Sequence, residues 1–184
     1  MALTSAIQQL TENRVFVMSR EFLSKVTSWN ESPIDGNETK SLKWVEVVTL
    51  EALGLLLGIS CNGNWVRMGK ESVFEFFAGQ SYLPLYPVLE LALLDVKMAV
   101  KGGLESSQLP IELLESFPFQ EVAISGMNSG SEYWCDLSLK YVEQLSYDEV
   151  LVNALNACSK NAPTQKLRHQ AKKLKATVSK DLSL

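Results

Sequence analysis

The run SLKWVEVVTLEALGLLLG, residues 41–58, decides how this chain is read. Leu42, Val45, Val48, Leu53 and Leu56 fall near helical spacing, and Trp44 and Leu55 widen the stripe. The spacing predicts a helix over residues 41–57, apolar around most of its circumference and therefore central. Immediately after it, Asn62-Gly63 sits between the short apolar stretches 58–61 and 65–66. That pair signals a hairpin, because both central residues of the favoured two-residue turn need positive φ.

Working outward toward the C-terminus, residues 70–78 suit a short helix ended by Gly79. Pro84 and Pro87 frame another helix start, and Leu89, Leu91, Leu93, Leu94, Met98 and Val100 follow until Gly102-Gly103 stops it. Pro110, at a first helical position, opens a short helix through Ser116, and Pro118 closes it. The period then changes toward 2. Val122 and Ile124 alternate with polar or small neighbours, and residues 128–131 make a loop. Tyr133, Cys135, Leu137, Leu139 and Tyr141 then alternate with Trp134, Asp136, Ser138 and Lys140, which predicts a hairpin with one apolar face. Ser146 and Glu149 have the spacing of a capping box for a helix to about Cys158 that buries Val150, Leu151 and Leu155. Asn161 and Pro163 break that helix. A last one, about residues 164–179, aligns Leu167, Ala171, Leu174 and Val178.

Toward the N-terminus, residues 30–39 contain Pro33, Asp35-Gly36 and two Asn, and read as an exposed loop. Before it, residues 5–13 suit a short helix with Ile7 and Leu10 on one face. Ser19 suits the N-cap of another running to about Trp29, with Phe22, Leu23 and Val26 inward. The expected fold is α+β: a predominantly helical single domain with one or two β-hairpins and a basic amphipathic C-terminal helix. Its expected parts are an acidic body over 1–162 and a basic helix over 163–184, docked or protruding.

The chain has 184 residues, 46% hydrophobic and 21% charged, enough apolar material for one packed core and too much for a disordered chain. Its first residues lack the basic and apolar regions of a secretory signal, and the densest apolar run, 53–59, is too short to span a bilayer. Cys61, Cys135 and Cys158 are odd in number and widely spaced, which suits a reducing, cytoplasmic setting better than a disulfide scaffold. The net charge of −4 hides an asymmetry. Residues 1–159 hold 10 Lys/Arg against 20 Asp/Glu, a net of −10, whereas residues 160–184 hold 7 Lys/Arg against the single acid Asp181, a net of +6.

Chemical motifs are weak. Residues 63–72 glance at a phosphate-binding loop, but five residues separate Gly63 from Gly69, and Glu71 follows Lys70 where a magnesium-ligating Ser or Thr belongs. His169 is the only histidine and has no acidic orienting neighbour. Three scattered cysteines lack the paired spacing of a zinc site. Glu112 with Glu115, and Asp148 with Glu149, read as solvated helix residues rather than an acid–base pair. No metal and no cofactor is expected, and the chain is not expected to be an enzyme.

Two features remain. Phe74, Phe76, Phe77, Tyr82 and Tyr86, interleaved with Leu83 and Leu85, are interrupted by Gly79, Pro84 and Pro87 and are hard to bury completely. Of these, Phe76, Phe77, Tyr82, Leu83 and Leu85 are the candidate partner groove, with Leu167, Leu174 and Val178 as anchors of a tail helix. The second feature is the set Lys166, Arg168, Lys172, Lys173 and Lys175. The expected function is a non-enzymatic protein–protein interaction module, an adaptor or chaperone, with a homo-oligomer compatible. In general profile (acidic, small, α+β, with spare apolar surface) the chain resembles small acidic chaperones of bacterial secretion systems, although no motif carries that resemblance. The alternative is a nucleic-acid-binding protein, viral or plasmid-borne, that uses the five basic residues on phosphates.

Overall fold

Residues 41–50 and 55–58 are extended, joined by a single 3-10 turn, Glu51–Leu53, and Gly54 at φ +58°. In the computed structural model, which describes residues 23, 26, 28–77 and 79–181, they belong to strands β2 (Asn37–Leu50) and β3 (Leu55–Ser60), not to a central helix. A β-bulge sets which residues of β2 turn inward. Glu46 pairs with Gly58 but Val48 pairs with Leu57, so one extra residue enters β2 at Val47. The buried positions are therefore Leu42, Trp44, Val47 and Leu50, with steps of two, three and three that imitate a helix. The Val- and Thr-rich run 45–49 favours the strand, because β-branched side chains pack well on a pleated surface.

The chain divides into two compact units, residues 1–80 with 94–117, and residues 81–93 with 118–184. The first is built on a closed barrel in the order β1-β2-β3-β4-β5, where β1 is Asn30–Ile34, β4 Trp65–Met68 and β5 Val73–Glu75. Successive strands are antiparallel, and a parallel pairing of Ile34 with Val73 closes the ring. Residues 30–39 are accordingly a hairpin rather than a loop: Asp35-Gly36 is its turn, with Gly36 at φ +70°. The Asn62-Gly63 turn joins β3 to β4 as expected. Of the helix expected over residues 70–78, the described residues 70–77 are not helical. The Gly69 amide donates to the Ser72 carbonyl at 2.7 Å, turning the chain back so that Val73 pairs with Met68.

Leu42, Trp44, Val66 and Val73 pack together, with Ile34, Leu56 and Met68 against them. Trp44 donates its indole N–H to the Ser32 hydroxyl at 3.1 Å, so the buried polar atoms of both are satisfied. Helix α1 (Leu93–Ser106) runs through Gly102-Gly103 instead of ending there. Its stop is a Schellman motif at Gln108, whose φ of +55° lets the Leu109 amide reach the Leu104 carbonyl at 2.8 Å. Gly103 meets the backbone of Val47 at the bulge, and the Ser107 hydroxyl donates to the Glu46 carbonyl at 3.1 Å. The short helix expected after Pro110 is a 3-10 segment, Ile111–Ser116. It is tied to β4 by the Trp65 indole donating to Ser116 Oγ at 3.1 Å and by edge packing of Trp65 on Phe117.

The second unit is helical: a 3-10 segment at Leu83–Glu90, then α2 (Phe119–Met127), α3 (Glu132–Val142), α4 (Glu149–Asn161) and α5 (Gln165–Asp181). The hairpin expected over residues 122–141 is thus two helices. Cys135, Ser138, Leu139, Tyr141 and Val142 are the buried residues of α3, spaced for one helical face, while Tyr133 is exposed. Ser131 caps α3 by accepting from the Trp134 amide. Gly126 of α2 faces Ser138, where a Cβ would lie 2.2 Å from the hydroxyl, so the small pair sets the α2–α3 approach. The N-cap of α4 is Asp148, not Ser146. Asp148 accepts from the Leu151 amide at 2.8 Å and from the Gln120 side chain at 3.0 Å. With its helices and its one five-stranded sheet the chain is α+β. The helix expected over residues 5–13, and all of the one expected over 19–29 except residues 23, 26, 28 and 29, lie outside the described residues.

Candidate functional site: the basic face of the C-terminal helix

Helix α5 begins after the Ala162-Pro163 break, where Thr164 Oγ1 accepts from the Leu167 amide at 3.4 Å. It packs on α4 and α3 and buries Leu167 and Ala171 completely, with Leu174 half-buried. The side chain of Val178, the last of the expected anchors, lies outside the described residues. Burying the i, i+4 edge leaves the opposite arc to the charged residues. Lys166, His169, Lys172 and Lys173 are exposed on it.

Two further cations are partly used by the unit itself. The half-buried Arg168 guanidinium donates to the Ala162 carbonyl at 2.7 Å, and the half-buried Lys175 ammonium donates to Asn156 Oδ1 at 2.7 Å. Both bonds, to the Ala162 carbonyl and the Asn156 side-chain oxygen, help fix the helix. Among the described residues, Lys166, Lys172 and Lys173 make no ion pair, unlike Lys101 with Glu105 and Lys140 with Asp136. The geometry is a helix held by its apolar edge and presenting uncompensated ammonium groups to solvent.

The expected apolar groove is distributed differently. Phe76 is buried behind β5, its amide bonded to the Trp65 carbonyl, and Leu85 is fully buried in the 3-10 segment. Phe77 and Leu83 are 45% and 61% exposed. Tyr82 is half-buried, and burial followed by the nearby Glu121 carboxylate raises its phenol above the ordinary value. Phe76 and Phe77 belong to the first unit, and Tyr82, Leu83 and Leu85 to the second. Sequence reasoning missed Leu94 and Met98, each 63% exposed and one turn apart on α1. Their signal was present: Leu93, Val96, Val100 and Leu104 are the buried stripe of α1, which leaves Leu94 and Met98 on the other side.

Residues 63–72, weighed above as a phosphate loop, span two hairpin turns and open no helix. The second turn faces Asp35-Gly36 across an open cleft of about 690 Å³ that Phe74, Lys70 and Glu71 also line. Ser72 donates to Asp35 Oδ1 at 3.1 Å and ties the two turns together. Glu75, another carboxylate passed over in the sequence, accepts from Ser60 Oγ at 2.5 Å, Asn62 Nδ2 at 3.0 Å and Asn64 Nδ2 at 3.1 Å. Its donors all come from the β3–β4 turn, so it braces that turn. Among the described residues no three His, Cys, Asp or Glu side chains assemble as a metal site, and no helix is long and apolar enough to cross a membrane.

Comparison with known proteins found no match: no family model, no curated protein and no solved structure is similar to the chain at a significant level.

Proposed function

We propose that the protein is a non-enzymatic interaction module that binds an acidic protein segment through the basic face of α5. The supporting observation is that Lys166, Lys172 and Lys173 are held exposed on a docked helix and, among the described residues, make no ion pair. A cationic face fixed in advance loses little conformational entropy on binding, and charge complementarity speeds encounter and rejects wrong partners. Leu83, 61% exposed in the same unit as α5, supplies apolar contact area of the kind an adaptor or chaperone uses. A nucleic-acid partner is the second reading, favoured by the same lysines. It ranks lower because α5 carries no aromatic residue for base stacking and residues 1–159 carry a net charge of −10.

The test is charge reversal, Lys172→Glu with Lys173→Glu, in the full chain. Both side chains are exposed, so the fold should tolerate the change. The probes are a fluorescent polyglutamate peptide and a fluorescent single-stranded oligonucleotide of matched charge. The expected result is salt-sensitive peptide binding that weakens about tenfold or more in the double variant. Tighter binding of the oligonucleotide, with the same loss, would move the function to nucleic acid. Binding of neither probe would sink both.

A further inference from the structure

Cys135 on α3 and Cys158 on α4 are free, fully buried, and only 3.7 Å apart at sulfur. They are 23 residues apart in sequence, so tertiary packing alone brings them together. A lone buried cysteine is an inert small hydrophobe, but two thiols at this separation are close enough to be joined by a small movement. The disulfide bond length is about 2.05 Å, so closing the pair needs about 1.6 Å of movement at sulfur. We infer that Cys135 and Cys158 form a reversible redox site, a dithiol that closes to a disulfide across α3 and α4 when a hydroperoxide reaches it.

Two further observations support the site. The thiols share one hydrogen bond, which lowers the Cys158 thiol and raises that of Cys135, giving the pair unlike sulfurs. Ser138 and Tyr141 follow Cys135 at i+3 and i+6 on α3, and each is buried with a hydroxyl that has no hydrogen-bond partner. Such hydroxyls are costly in a dry core. Both stand on the helix that carries Cys135, and a small peroxide, itself both donor and acceptor, is the kind of molecule that would pair them.

The chemistry balances with hydrogen peroxide as the oxidant. The Cys158 sulfur, as thiolate, attacks one peroxide oxygen and the O–O bond breaks, leaving a sulfenic acid and hydroxide, which takes up the thiol proton as water. The Cys135 sulfur, as thiolate, then attacks the Cys158 sulfur and displaces the sulfenic hydroxyl, which leaves as a second water with the Cys135 proton. Two electrons pass from the sulfurs to the peroxide. A thiol reductant reverses the step by exchange. Because α5 packs on both α3 and α4, the cross-link staples together the two helices that carry α5. The inference does not depend on what α5 binds.

The test uses full-length protein carrying Cys61→Ser, which removes the exposed third thiol. The native protein is treated with hydrogen peroxide, then unfolded and alkylated, and its peptides are mapped by mass. The expected result is loss of two hydrogens (about 2 Da) in a peptide linking 135 to 158, reversed by a dithiol reductant. Amide hydrogen exchange in α3 and α4 should slow in the oxidised form. Full alkylation of both thiols after treatment, or Cys158 carried to sulfinic acid without a cross-link, would overturn the inference.

Discussion

Gly102 and Gly103 are neighbours in α1 with opposite demands on space. A Cβ at Gly103 would lie 2.4 Å from the Val47 carbonyl oxygen, a backbone atom that cannot step aside, whereas a Cβ at Gly102 would meet nothing within 4 Å. Gly103→Ala should therefore destabilise the protein by about 1–3 kcal/mol through overpacking. Gly102→Ala should stabilise it by about 0.5–1 kcal/mol, because alanine loses less backbone entropy in a helix. Thermal unfolding of the two variants checks both signs, and equal shifts would mean that α1 does not approach the bulge as described. Tyr141 makes a second residue-scale argument. Burial pushes its phenol well above the usual value. The folded protein therefore keeps a proton that the unfolded chain releases near pH 10, so this group's stabilisation is full below about pH 10 and falls as pH rises beyond it. Tyr141→Phe should remove that alkaline loss. Near neutral pH it should cost little or even stabilise, since it deletes a buried hydroxyl without a partner. Denaturant unfolding at pH 7 and above pH 10 measures both effects.

At the scale of elements, hydrogen bonds outside the ladders and helices set the boundaries. Asp148 and Ser146 compete on paper for the N-cap of α4, and the Leu151 amide bonds Asp148. Asp148→Ala should cost about 1–2 kcal/mol, since it also strands the Gln120 side chain, while Ser146→Ala should fall within about 0.5 kcal/mol of wild type. Urea midpoints of the two variants decide this, and a large loss at Ser146 would restore the capping box. The strand β2 and the helix α3 show why some elements were legible and others were not. The Asn62-Gly63 hairpin, the 3-10 segment after Pro110 and α5 could be read directly, because turn chemistry and a long uninterrupted amphipathic pattern are local signals. In β2 the apolar residues Val45 and Val48 that suggested a helix are only half-buried, while the bulge at Val47 turns Val47 and Leu50 inward, a phase that no local pattern shows. In α3 the alternation at residues 133–141 was only apparent: Ser138 is buried against Gly126, while Tyr133 is exposed. A small polar residue on a buried face defeats any reading that equates polar with outward.

At the scale of the whole molecule, the charge asymmetry and the candidate site have different standing. Composition is a sum over residues, so the net +6 of residues 160–184 and the α+β character were available from the sequence. The basic residues Lys166, Lys172 and Lys173 were also legible there, because an amphipathic helix carries both its faces in its own period. Which of the candidate apolar residues face solvent was not legible. Phe76, Leu85 and Leu167 are taken up by burial, while Leu94 and Met98, which were not among the candidates, are exposed. Burial depends on what packs against a face, and that partner lies elsewhere in the chain. The same holds for the bulge fitted against Gly103 and for the meeting of Cys135 with Cys158. The sequence by itself determined composition, the charge division, the glycine and proline turns and the C-terminal helix, because these depend on a residue and its near neighbours. Tertiary structure alone decided the strand identity of residues 41–58, the helical identity of residues 132–142, the exposed apolar surface and the thiol pair, because each depends on contacts between residues far apart in the chain.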